Sequence, residues 1–240
     1  GNVGYHAAKF LSEADKVRIV GIIEHDGVLL SEDGLPVEAV HRHLRDHGGV
    51  KGYSGVAYRT GTREALENDC DILILAATER QIDRDNAARI RARLIVEGAN
   101  GPITFQAERI LAEKGIKILP DIYINAGGVV VSYFEWTRNL SHMRYGRMQR
   151  RHEETRAQHY LTALESTTGQ QVPDWMRTEI LRGADELELV RSGLDDTMRL
   201  AYQEIREAMR LSKEEIDFRS AAYIIALDKI SRWYRDLGIA

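Results

Sequence analysis

From Gly1 to about Trp136, short apolar runs alternate with amphipathic stretches. Val17 to Ile23 reads as a strand buried on both faces, as do Ile72 to Leu75, Leu94 to Val96 and Ile116 to Leu119. Helical spacing marks Tyr5 to Ala14, Asp83 to Ala92 and Phe105 to Lys114. Strands that alternate with helices need right-handed crossovers. The expected architecture is therefore α/β, a doubly wound and mostly parallel sheet covered on both faces.

After Trp136 the pattern changes. Residues 139–191 are rich in Arg, Glu, Gln and His and carry no strand-like run. Helical segments at Glu153 to Ser166 and Trp175 to Arg182 flank a break at Thr167 to Gln171, with Pro173 beyond it. Leu194 to Arg210 and Phe218 to Leu237 read as long helices, the second with an apolar face built from Ala221, Ala222, Ile225, Leu227 and Ile230. The expected division is 1–136, 137–193 (a helical insertion) and 194–240 (helices packing back on the core).

Composition narrows the function classes. With 240 residues and 43% hydrophobic content, the chain can bury one good core. A net charge of -4, with both signs interspersed, leaves no basic block for nucleic acid or anionic membrane. The single Cys70 rules out an internal disulfide framework and a cysteine-based zinc site. No apolar run approaches the roughly 20 residues that cross a bilayer. The expectation is a soluble intracellular protein with no metal, no nucleic acid and no membrane partner.

In a doubly wound sheet, ligands bind just beyond the carboxyl ends of the strands. Here those ends carry Glu24-His25-Asp26-Gly27, Ala76-Ala77-Thr78-Glu79, Glu97 to Pro102, and Asp121 with Asn125-Ala126-Gly127-Gly128. The chain opens with Gly1-Asn2-Val3-Gly4 and then a helix, the second half of the G-x-G-x-x-G turn of Rossmann-like folds. Gly1 would let the backbone approach a pyrophosphate, and Gly4 would let helix and strand pack closely. The helix N-terminus adds partial positive charge at the phosphates. Glu24 lies about 20 residues on, where an acid accepts from the adenosine ribose hydroxyls; the plain alternative is a solvated strand-end carboxylate. A ribose phosphate about 4 Å from Glu24 would be repelled by roughly 4 kcal/mol per pair of unit charges at a dielectric near 20. NAD is therefore expected over NADP, although His25 could meet that phosphate and leaves dual use open. Asn100 and Asn125 each precede a small residue after a strand, so each is also readable as a turn residue in left-handed conformation.

These segments, with Ser132-Tyr133-Phe134-Glu135-Trp136, resemble glutamate dehydrogenase in the right order along the whole chain. Leucine, valine and phenylalanine dehydrogenases share the first motif and the Asn125 to Val129 stretch. The run ending at Trp136 and the Pro102 form of the Asn100 loop point to the glutamate enzyme. The resemblance implies that Asn2 and Val3 touch pyrophosphate and ribose, and that Glu24 accepts from the adenosine ribose. It implies that Ala76 and Gln81 lie along the cofactor, that Gly98, Ala99, Asn100 and Asn125 stand near the nicotinamide, and that Ser132 binds the side-chain carboxylate of glutamate. Without it, Ser132 reads as a helix-interior hydroxyl bonded back to a carbonyl. Residues 139–191 resemble the antenna of the animal-type hexamers. Leu187, Arg191 and Leu200 depart from the Lys, His and Arg of those enzymes, so an antenna is implied and its ligands are not.

The resemblance also implies oxidative deamination of L-glutamate to 2-oxoglutarate and ammonia, in a homohexamer of the cytoplasm or mitochondrial matrix. The lysine and aspartate of that chemistry belong to an N-terminal domain outside this chain, so no residue here is expected to be catalytic. His6, His25 and His142 show no pairing suited to a substitute role. A strand is expected to precede Gly1 in a longer chain. Two alternatives stay open: a dehydrogenase for another amino acid, and a non-catalytic nucleotide-binding regulatory or assembly subunit.

Overall fold

The computed structural model describes residues 1–141, 147–182 and 185–238, so His142 falls outside it. In chain order the helices are α1 (Asn2–Glu13), α2 (Val37–His47), α3 (Phe105–Glu113), α4 (Asp121–Ile124), α5 (Ala126–Ser141), α6 (Arg147–Thr168), α7 (Asp174–Arg182), α8 (Glu186–Leu211) and α9 (Phe218–Asp236). The strands are β1 (Gly21–Glu24), β2 (Gly27–Leu30), β3 (Ala57–Arg59), β4 (Ile72–Leu75), β5 (Leu94–Glu97) and β6 (Lys117–Leu119). They form two compact units, one of Gly1–Asn125 with Leu211–Ala240, the other of Ala126–Arg210.

In the first unit β4, β5 and β6 form a parallel sheet in that order, with Ile72 opposite Leu94 and Leu94 opposite Lys117. This is the α/β arrangement that the apolar runs predict. Leu73, Leu75 and Ile95 pack with Ile82, Ile90, Ala107 and Leu111 into the main core. The alternate positions are less covered: Ile72 is 40% exposed, so one face of β4 is buried and the other only partly. Thr104 caps α3 by accepting from the Ala107 N–H, and Gly115, at φ +73°, turns the chain into β6.

The first predicted strand differs. Only Gly21–Glu24 is extended as a strand, and it pairs antiparallel with β2, which pairs antiparallel with β3. Glu24 stands opposite Gly27, so His25 and Asp26 form a two-residue hairpin loop. A Cβ on Gly27 would clash with the Tyr58 ring and lie 2.8 Å from Arg59 O, so β3 reaches β2 only because that residue is glycine. Asp26 holds the hairpin from outside by accepting from the N–H groups of Val50 and Lys51. Among the described residues, β1 pairs only with β2 and β4 only with β5. Ile23 of β1 nonetheless packs against the core of the parallel sheet.

The helix expected over Asp83 to Ala92 is a short 3-10 turn, Ala87–Arg89. The fully buried Asn86 donates to Gln81 O and accepts from the Asp83 N–H, and Asp83 accepts from the Asp85 N–H. These side chains take the groups that a helix would have bonded. In α9 only Ala221 and Ala222 are buried; Leu227 and Ile230 of the expected apolar face are exposed.

The second unit consists of helices and their connections, with no strand among its described residues. α6 ends at Gly169, at φ +68°, and α7 returns against it, tied by Glu165, which accepts from the Val172 N–H and from Arg177. Gly193 of α8 lets Phe134 of α5 approach: a Cβ there would meet the ring at 3.3 Å.

Candidate functional site

The carboxyl ends of β4 and β5 and the start of α1 meet at one place. Gly98 is where they approach most closely, since a Cβ there would lie 3.3 Å from Val3 Cγ1, 3.4 Å from Leu75 O and 3.6 Å from Ala76 Cβ. Gly4, expected to be the tight position, is looser: its Cβ would meet Ala76 Cβ at 3.7 Å, an ordinary contact. A Cβ on Gly1 would meet nothing within 4 Å, so the backbone opening α1 faces open space. Val3 beside it is 56% exposed, an apolar side chain uncovered at the mouth of a turn.

The hairpin brings Glu24 to the same helix end. Its Oε1 accepts from the terminal ammonium of Gly1 at 3.2 Å, and its side chain is 19% exposed. Asn2 and His25 are exposed. Of the Glu24 to Gly27 cluster, then, Glu24 reaches the glycine turn, His25 projects from the loop, and Asp26 is structural. Burial pushes the Asp26 carboxyl up, but the N–H groups of Val50 and Lys51 outweigh this and hold it below the usual value.

The loops that follow β4 and β5 are bonded to one another. Ala99 N–H donates to Leu75 O at 2.8 Å, Arg80 N–H to Gly101 O and Ile82 N–H to Pro102 O. Arg80 takes φ +53° to do so. Gln81 spends its side-chain amide within its own loop, on Thr78 Oγ1 and Glu79 O. Asn125 Nδ2 donates to Asn100 Oδ1 at 2.5 Å, so the two strand-end asparagines do come together, and Asn100 is exposed there.

Beneath this pair lies a cluster that sequence reasoning missed. Glu97, fully buried at the end of β5, accepts through Oε2 from the Asp121 N–H (2.8 Å) and from Arg219 Nη2 (2.7 Å). Arg219 also donates to Asp121 Oδ1 (2.8 Å) and Glu108 Oε1 (2.9 Å). Asp121 Oδ2 in turn accepts from the Gly101 N–H at 2.8 Å. Burial pushes Glu97 up, against the opposing pull of the Asp121 N–H and Arg219. For Asp121 burial also works upward, but the N–H groups of Gly101 and Ile122 and the guanidinium bring it down. Burial disfavours the Arg219 charge, and its bonds to Glu108 and Glu97 overcome this and raise it. One guanidinium shared among three carboxylates favours its own charge strongly while leaving Glu97, the most buried, short of full compensation. The partners of Arg219 lie 98 to 122 residues away in sequence, which is why no local pattern marks it.

Ser132, in the second unit, is exposed and donates to Gly128 O at 3.0 Å, the bonded-back hydroxyl of a helix interior.

Strand-end turns gathered at a glycine-led helix N-terminus, on a parallel sheet, define a Rossmann-type α/β fold. The solved hetero-hexameric glutamate dehydrogenase from Thermus thermophilus, in its leucine-bound form, has the same fold: TM-score 0.75 at 21% identity, over 100% of this chain and 46% of that one. The Glutamate/Leucine/Phenylalanine/Valine dehydrogenase family pattern matches residues 1–182, and the chain belongs to that family. Among relatives, the probable glutamate dehydrogenase of Sinorhizobium fredii is 46% identical over 96% of this chain and 52% of its own length. The mitochondrial glutamate dehydrogenase of Dictyostelium discoideum is 43% identical over 99% of this chain and 47% of its own. The chain thus spans about half the length of the curated relatives it matches. No helix among the described residues is long and apolar enough to cross a membrane.

Proposed function

We propose that this chain is the dinucleotide-binding portion of a glutamate dehydrogenase that, at full length, oxidatively deaminates L-glutamate to 2-oxoglutarate and ammonia. The reading is supported by the convergence of Val3, Glu24, Ala76 and Gly98 around the start of α1, and separately by the hydrogen bond that joins Asn100 to Asn125. The relatives' names agree with it.

The residues present suit a nicotinamide dinucleotide. The open backbone at Gly1 and the start of α1 would take the pyrophosphate, with Asn2 and Val3 beside it. Glu24, which ends β1 beside the start of α1, would accept from the adenosine ribose hydroxyls. Ala76 and Ala99 would line the path, with Gln81 behind them. Asn100 and Asn125 would present amide donors and acceptors to the nicotinamide carboxamide. The bound cofactor supplies a hydride acceptor; the protein holds it in place and excludes water from its reactive face. NAD is the preferred cofactor because the Glu24 carboxylate repels a ribose phosphate, and His25 keeps NADP possible. The acid–base groups would come from the part of the protein outside this chain. We further propose that α6 and α7 form an antenna-like extension, that the assembly is a homohexamer, and that it works in cytoplasm or mitochondrial matrix.

One observation favours a second reading, a dehydrogenase for another amino acid. The Ser132 hydroxyl proton is spent on Gly128 O, and a substrate carboxylate needs a donor. A Ser132→Ala variant of the full-length protein with an unchanged KM for glutamate would favour that reading.

Calorimetric titration of NAD and NADP into the full-length protein tests the main proposal. NAD is expected to bind more tightly, and Glu24→Ala to abolish the preference by weakening NAD roughly tenfold to a hundredfold, as loss of a hydrogen bond to a charged group does. A folded full-length protein that binds neither cofactor would sink the proposal and leave the non-catalytic assembly subunit in its place.

A further inference from the structure

Arg219 stands where helix energetics disfavour it. Asp217 caps α9 by accepting from the Ser220 N–H, so Arg219 lies in the first turn, where the helix presents partial positive charge. Three carboxylates from three other elements hold it there: Glu97 ending β5, Glu108 on α3 and Asp121 opening α4.

Those contacts close a ring around the two asparagines. Gly101, the residue after Asn100, donates its N–H to Asp121. Asn125 caps α4, its N–H donating to Asp121 O, and its side chain donates to Asn100. The segments Glu97 to Gly101 and Asp121 to Asn125 are thus joined at both ends. Arg219 grips both segments, through Glu97 on one and Asp121 on the other.

We infer that Arg219 is a positioning residue which, through Glu97 and Asp121, locks the Gly98–Gly101 turn and Asn125 into one rigid edge that seats the nicotinamide half of the dinucleotide. The inference rests on the dinucleotide-binding reading above. It assigns the C-terminal helix a part in cofactor geometry without contact to the cofactor. The adenosine half, held by Glu24 and the start of α1, lies outside the ring and is independent of Arg219.

The buried Glu97 adds a pH signature. Its Oε1 has no partner among the described residues. The charged groups facing it are Asp121 from α4 and Arg219 from α9, with Glu108 of α3 behind the guanidinium. Protonation of Glu97 weakens its hold on the Asp121 N–H and on Arg219, so the ring loosens as pH falls through its pKa. Arg219 opposes that protonation. Its removal therefore moves the loosening to higher pH.

The test compares NAD with ADP-ribose, which lacks the nicotinamide, by titration across pH into the full-length protein and its Arg219→Gln and Arg219→Lys variants. Arg219→Gln is expected to weaken NAD about tenfold or more while leaving ADP-ribose nearly unchanged, since loss of alignment acts on the misaligned group alone. The acid limb of NAD binding should move to higher pH, and Arg219→Lys should restore part of both effects. Equal weakening of both ligands, or no change in either, would overturn the inference. If Arg219→Gln does not fold, Asp121→Asn, which cannot accept the Gly101 N–H at Oδ2 in the same way, must show the same selective loss or the inference falls. Wild-type protein that binds neither ligand would instead refute the dinucleotide-binding reading itself.

Discussion

Gly4 and Gly98 look alike in sequence but differ in what surrounds them. A methyl group on Gly98 would press on Val3 and on the Leu75 carbonyl, whereas one on Gly4 meets Ala76 at ordinary contact. Gly98→Ala is expected to cost about 1–3 kcal/mol by overpacking. Gly4→Ala, inside α1, is expected to be neutral or to stabilise by roughly 0.5–1 kcal/mol through helix propensity. Thermal melts of the two variants give the comparison, and equal effects would contradict the geometry. Asp26 gives a pH prediction. Its folded-state pKa is depressed, so its contribution is fully present above the unfolded value, near about 3.9, and fades as pH falls through the folded one. Asp26→Ala should cost about 1–3 kcal/mol at neutral pH for the two N–H groups left without their acceptor. The gap from wild type should narrow in acid. Denaturant unfolding at neutral and acid pH reads this, and a constant gap would remove the carboxylate from the explanation.

Among elements, the parallel strands β4, β5 and β6 fall where apolar runs place them, because a run buried on at least one face is hard to mistake. The sequence reading missed β2, β3 and α2: the two strands are only four and three residues long, and the apolar residues of α2 are interspersed with Glu, His, Arg and Asp. Asp83 to Ala92 has a helical spacing that Asn86 and Asp83 defeat by bonding the local backbone. The two sheets also leave a specific expectation. The ends of β1 and β4 both reach the start of α1, through Glu24 at Gly1 and Ala76 at Gly4, while among the described residues each strand is paired on one side only. A strand running into Gly1 from upstream would lie between them and pair with both. Extending the chain upstream should raise amide-exchange protection across Ile22 to Glu24 and Ile72 to Leu75, each newly paired buried group sparing roughly 1–3 kcal/mol. Unchanged protection would exclude that placement.

For the whole molecule, the surface is the informative quantity. Ile224, Leu227, Ile230, Trp233 and Tyr234 of α9 are each more than half exposed. A helix with that much uncovered apolar surface needs cover in the full-length protein, and we propose that a second protomer supplies it. Light scattering on the full-length protein is expected to give a multiple of the protomer mass. Leu227→Asp together with Trp233→Asp should lower it, and a mass unaffected by the pair would place the assembly contact elsewhere.

The sequence by itself determined the parallel strands, the long helices and the glycine turn at the head of α1. Each is encoded within a few residues or at a fixed spacing along one βαβ unit, so local periodicity and turn chemistry suffice to reveal it. The family was legible for the same reason, its motifs being short and ordered along the chain. Tertiary structure alone decided that Asn100 and Asn125 touch, that Gly98 and not Gly4 is the tight position, and that Arg219 draws Glu97, Glu108 and Asp121 into one cluster. Those outcomes depend on strand order and on a helix returning across roughly a hundred residues of chain. A buried charge finds its partners by packing, and packing between distant segments leaves no trace in the spacing of either one.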